Sequence, residues 1–187
     1  MKTPSILIGL LLTATPAFAQ TADEYYNAGV KAMNRNDPAT ARTAFEKALQ
    51  LRPDHPYARY KLAALKTQAG NMLAKRKETE LGGIRLPEVE FRDVTLSEAL
   101  SALNSMVETE STKKKGEDDA FTPNFMVQDP TGKLGDREVS LSLKNIPAKA
   151  ALDYLLQQAG GIARYDEHAI VIRPASGAVG KGTPPGE

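Results

Sequence analysis

The chain has 187 residues, with 24 Lys or Arg, 23 Asp or Glu, two His and no Cys. Without Cys there is no disulfide framework, no thiol nucleophile and no thiolate metal site. With Lys2 set aside, positive and negative residues balance at 23 each, which gives no electrostatic case for nucleic acid or an anionic membrane as partner.

Lys2 precedes an apolar run over residues 6–12, too short to span a bilayer. Pro16-Ala17-Phe18-Ala19 follows, with small residues at Ala17 and Ala19 where a signal peptidase reads them. Residues 1–19 are therefore expected to be a secretory signal peptide, cut before Gln20. The expected location is the periplasm. No later stretch reaches membrane-spanning length, so contact with the outer membrane is expected only through a partner.

Residues 20–81 read as helical. Tyr25, Ala28-Gly29 and Ala32 recur at three- and four-residue intervals. The polar break "NRNDPATA" places Pro38 to open a second helix, which carries Ala41, Phe45, Ala48 and Leu49 and stops at Pro53. A third helix is expected over 54–69. Asn36-Asp37 is echoed at Gly70-Asn71, thirty-four residues on, so a turn and a polar capping helix are expected there. The spelling from Tyr25 through Gly29, Ala41, Phe45 and Ala48 to Pro53 resembles a tetratricopeptide repeat. That resemblance implies a concave face carrying Tyr26, Asn27, Val30, Tyr60 and Lys61 as partner contacts. Val30 stands where a carboxylate-clamping repeat has Asn, so a carboxylate clamp is not expected. One and a half repeats cannot bury their faces alone and must lean on something else.

Leu81-Gly82-Gly83 marks the expected boundary of a second domain over 84–174. Val89 and Phe91 alternate with polar residues as in a half-buried strand, and Pro87 marks an edge or bulge. Thr95-Leu96-Ser97-Glu98 is a capping box that opens a helix with Leu96, Ala99, Leu100, Leu103 and Val107 on one face. The charged stretch 108–120 reads as a mobile loop. Residues 124–128 read as a strand. Val139, Leu141 and Leu143 alternate in a further strand, Asn145 is a turn and cap former, and Pro147 suits the first turn of the next helix. Residues 162–172 read as a closing hairpin, with Ala169, Ile170, Val171 and Ile172 as its candidate edge for strand addition. "VEFRDVTLSEAL" is echoed fifty-two residues later by "LSLKNIPAKAAL". The echo keeps the apolar positions but changes Asp93 to Asn145 and Glu98 to Ala150, which marks scaffold rather than chemistry.

The expected class is α+β: a helical hairpin region, then a β-α-β-β-α-β-β domain with two helices on one face of a sheet. "FRDVTLSEALSAL", "VSLSLKNIPAKAALDYLLQQAG" and "YDEHAIVIRP" resemble the short N-terminal (STN) domain shared by secretins and TonB-dependent receptors. The resemblance implies a periplasmic module that contacts partner proteins of secretin- or TonB-linked complexes. The charged stretch 113–119 is longer than the family's usual connection. After Pro174 the sequence reads only "ASGAVGKGTPPGE", a Gly/Pro-rich stretch expected to be disordered over 175–187, so the module is expected to work without a barrel, pore or plug.

The residues do not suggest catalysis. His55 lies between two prolines and is expected to be exposed, and His168 falls in the hairpin turn. Neither has a metal-ligand spacing, Glu117-Asp118-Asp119 lacks the alternation of a calcium loop, and no nucleophile elbow or phosphate loop occurs. No cofactor and no metal are expected. The expectation is a non-enzymatic envelope adaptor. A self-associating structural component is the alternative, and a hydrolase or small-ligand binder ranks third.

Overall fold

The computed structural model describes residues 21–175. Ala17, Ala19 and Gln20 lie outside the described residues, as does all but the first residue of the tail expected over 175–187. The architecture is mixed α+β, with five helices and two small sheets among the described residues.

Helix α1 spans Ala22–Asn34 and starts on a capping box in which Thr21 and Glu24 exchange bonds. Asn36 takes a positive φ of 55° in the turn that follows. Helix α2 spans Pro38–Leu51, with Asp37 accepting from the Thr40 N–H and Pro38 in the first turn. The two helices meet at Gly29, where a Cβ would lie 2.5 Å from the Phe45 ring. A glycine is required there by space, and Phe45 is fully buried as a result.

Helix α3 spans Pro56–Gly83, 28 residues without interruption. This corrects the expected break at Gly70-Asn71, so no separate capping helix forms there. The physical reason lies in the packing. Ala58, Leu65 and Met72 are spaced by seven residues and all bury against α1 and α2. A glycine inside a helix costs only about 1 kcal/mol. Burying a Leu or Met side chain returns about 1.5–3 kcal/mol. Further along the same helix, Leu81 enters a different core. One helix thus belongs to two hydrophobic cores.

Strand β1 spans Arg85–Thr95 and leads directly into α4, Leu96–Lys115. Strand β2 is Phe125–Val127, β3 is Glu138–Pro147, α5 is Ala148–Ala159, β4 is Gly161–Tyr165 and β5 is Ile170–Pro174. The expectation of one sheet with both helices on one face is corrected: β1 and β3 form an antiparallel pair, and β2, β5 and β4 form a separate sheet in that order. Helix α4 touches β1 and β2, and α5 touches β3 and β4, so the helices bridge the two sheets. Val89, Leu96, Leu103, Leu152, Leu155, Ile170 and Ile172 are fully buried between them.

In the β1–β3 pair Arg85 faces Pro147 and Phe91 faces Leu141, and a bulge between Phe91 and Val94 shifts the register by one. Asp93 sits in that bulge with φ 48°. Asn145 has φ 50° and is not a helix cap; Pro147 holds that position without a side-chain bond. The charged stretch 108–120 is also corrected. It is helical to Lys115, and the buried Ser111 Oγ accepts the Phe121 N–H at 2.6 Å, which anchors the short segment beyond.

Candidate functional site

The expected edge at Ala169, Ile170, Val171 and Ile172 is corrected by the sheet order. Strand β5 is central, with β2 parallel on one side and β4 antiparallel on the other. All four residues are buried; the ladders on both sides occupy the backbone groups of Ile170, Val171 and Ile172, and the Ala169 carbonyl accepts the Asp166 N–H at 2.9 Å. The hairpin was legible locally. The pairing of β2 with β5, which joins segments more than forty residues apart, was not.

Strand β2 is an outer strand. The Asn124 carbonyl accepts from the Ile170 N–H at 3.1 Å, and the Gln128 N–H donates to the Ile172 carbonyl at 2.8 Å. Groups alternate along a strand, so the N–H and C=O of Phe125 and Val127 point the other way. No strand pairs with that side among the described residues. Asn124, at φ 55°, fixes the entry by donating its side-chain amide to the His168 carbonyl at 2.8 Å. Asp129 fixes the exit: its carboxylate accepts the N–H groups of Thr131 and Leu134 at 2.9 and 2.8 Å. Those bonds hold its carboxyl below the usual range.

A groove of about 380 Å³ runs between this free edge and α4. Ser97, Ser101, Asn104 and Ser105 line its helix side, and Phe125 and Val127 its strand side. In a chain that is 25% charged, no charged residue lines this groove. The four helix residues fall at i, i+4, i+7 and i+8, one face of the helix. That face was readable as polar, but its role as a groove wall depends on where β2 lands.

The helical contacts expected from the repeat resemblance are divided. Asn27 and Tyr60 are exposed, with Tyr60 at 70% of its surface. Lys61 is half-buried. Val30 and Tyr26 pack onto the helical core. The Tyr26 ring stands 5.9 Å from Phe45, 5.0 Å from His55 and 6.2 Å from Tyr57. Tyr57, absent from the expected set, is 67% exposed. His55 was expected to be exposed and is instead 1% exposed. Its Nδ1 accepts the Ala58 N–H and caps α3. Its Nε2 stands 3.3 Å from Asp23 Oδ1 but lacks hydrogen-bond alignment, so only the cap is counted as a bond. A His placed just before Pro at the start of a helical run was the available signal for this cap.

A cleft of about 480 Å³ separates α3 at Gly70, Asn71 and Ala74 from Met126, Tyr165 and Val171. Burial, with Asp153 and Glu78 nearby, pushes the Tyr165 hydroxyl well above its ordinary value. It therefore stays protonated at neutral pH. His168 is exposed in the hairpin turn, 3.9 Å from Glu167. No helix among the described residues is long and apolar enough to cross a membrane. Compared with known protein families, curated proteins and solved structures, the chain matches none.

Proposed function

We propose that this chain is a non-enzymatic interaction module of the cell envelope, an accessory or adaptor of a secretin-type or TonB-type outer-membrane system. It acts by accepting an extended segment of a partner along β2. The observation that carries this reading is the free β2 edge beside the uncharged groove under α4. Two outward N–H and two outward C=O groups offer main-chain bonds to an added strand, and alternate side chains of that strand would enter the groove. The other outer strand of this three-stranded sheet, β4, packs against α3 and lies away from the groove. The envelope assignment draws on the signal-peptide pattern and the STN resemblance of the sequence.

The test is Val127→Pro. Its N–H points outward, so the substitution removes a bond to an added strand and leaves the β2–β5 ladder intact. The parent protein should recover a specific membrane complex from envelope extract. Val127→Pro should keep the parent's melting temperature within a few degrees and lose that complex. Equal recovery by both proteins would rule out strand addition at β2.

A further inference from the structure

The overall balance of charge conceals an uneven division. Residues 21–77 hold eleven Lys or Arg against five Asp or Glu, a net of +6. Residues 78–175 hold eleven against seventeen, a net of −6. The cationic part is α1, α2 and most of α3. The anionic part begins at the end of α3, where Glu78 and Glu80 reach Lys149 and Lys115 at 3.7 and 3.5 Å.

The corner between α2 and α3, in the cationic part, is also where apolar surface protrudes. Leu51 is 56% exposed, Tyr57 67% and Tyr60 70%, the three most exposed large hydrophobic residues among those described. Singly, such residues need no explanation, but three within ten positions concentrate exposed apolar surface at this corner. Tyr57 and Tyr60 are three apart on α3, and Lys61 follows Tyr57 by four, so the three share a face. Lys61 has no ion-pair partner among the described residues. Tyr57 stands on a fixed base, with its ring 6.2 Å from Tyr26 and 6.3 Å from the buried His55. Arg59 ties the corner by donating to the Pro53 carbonyl at 2.6 Å.

We infer that this corner docks on the surface of an anionic lipid bilayer. Tyrosine rings, with an apolar body and a polar tip, suit the headgroup level, and Leu51 suits the acyl boundary. Lys61, with Arg59 two residues before it, faces the anionic headgroups, while Arg52 is shared with Asp23 at 2.6 Å. The side chains of Leu51, Tyr57 and Tyr60 are all more than half exposed. A protein partner would have to supply a matching concavity, whereas a bilayer accepts protrusions of any outline. The charge division sets the orientation: the +6 part faces the membrane, and the −6 part with its β2 edge is repelled from it. This inference stands apart from the strand-addition reading and uses none of its residues.

The test uses the chain from Gln20 onward and vesicles of phosphatidylcholine, alone or with about a third phosphatidylglycerol. Co-sedimentation should occur with the anionic vesicles only and fall as salt rises past about 0.15 M. The doubly substituted Tyr57→Ala/Tyr60→Ala protein should partition at least about tenfold more weakly. Both rings are mostly solvent-exposed, and its melting curve checks that the fold persists. The chain has no Trp. Tyr57→Trp therefore gives a single emission band, which should shift to the blue on anionic vesicles and stay unshifted on neutral ones. Absence of sedimentation at low salt would overturn the inference. So would unchanged partition of the double variant, or loss of a captured acidic protein by that variant without any vesicle binding.

Discussion

Asp93 and Asn145, fifty-two residues apart, hold nearly the same left-handed backbone, φ 48° and 50°. Each lies two residues before the residue that caps a helix, Thr95 and Pro147. The sequence echo thus repeats a backbone kink. Asp and Asn tolerate positive φ better than other side-chain-bearing residues. At Asp93 the kink is also bonded, since the Ser140 hydroxyl donates to Oδ1 at 2.8 Å and accepts the Asp93 N–H at 2.9 Å.

The kink predicts an inverted ranking at Asn145. Asn145→Gly should stay within about 0.5 kcal/mol of the parent, because glycine adopts positive φ freely. Asn145→Val should lose about 1–3 kcal/mol despite its strand preference. Urea denaturation of both variants decides the matter. A Val variant as stable as the parent would show that the kink is not needed.

Continuity of α3 makes a prediction at Gly70. A Cβ there would meet only the Glu167 Oε2 at 3.6 Å, ordinary contact. Gly70→Ala should therefore raise stability by about 0.5–1 kcal/mol, and Gly70→Pro should cost about 3 kcal/mol. A turn at Gly70-Asn71 would reverse the Ala result. Thermal melts of the two variants separate the cases.

The capping box of α4 ties stability to pH. Bonds from the Thr95 backbone N–H, and then from its hydroxyl, hold the Glu98 carboxyl below its usual value of 4.5. A lowered folded-state value contributes stability that is present above about pH 4.5 and is lost as pH falls through the folded value. Asp37, held down by the Thr40 hydroxyl, and Asp129 act in the same direction. Thr95→Ala should cost about 1 kcal/mol at neutral pH. Its melting temperature should also fall less than the parent's between about pH 6 and pH 3. Parallel pH profiles for the two proteins would mean that the Glu98 bonds contribute nothing.

Much of this organisation was legible where the signal is local. Pro38 and Thr95 open helices, Phe45 fills the space left by Gly29, and Val139 and Leu141 bury on one face, all as their chemistry dictates. What was not legible depends on distant contacts. Gly70-Asn71 has the composition of a turn, yet Leu65 and Met72 on either side bury in one core and keep the helix running. Alternation in 139–143 reveals a buried face but not which strand lies beside it. The same limit hid the central position of β5, and with it the true edge at β2. The burial of His55 is not legible locally because the Tyr26 ring packed against it lies twenty-nine positions away in the chain.

Helix α3 has a mechanical consequence. At about 1.5 Å per residue its 28 residues run about 42 Å. Leu65 is fixed in one core and Leu81 in the other, with no joint between them. Tilting or pulling at the Tyr57 end therefore moves the sheets as a rod moves its far tip. The helix is a spacer of set length, and it keeps a constant standoff between whatever holds the corner and whatever lies along β2.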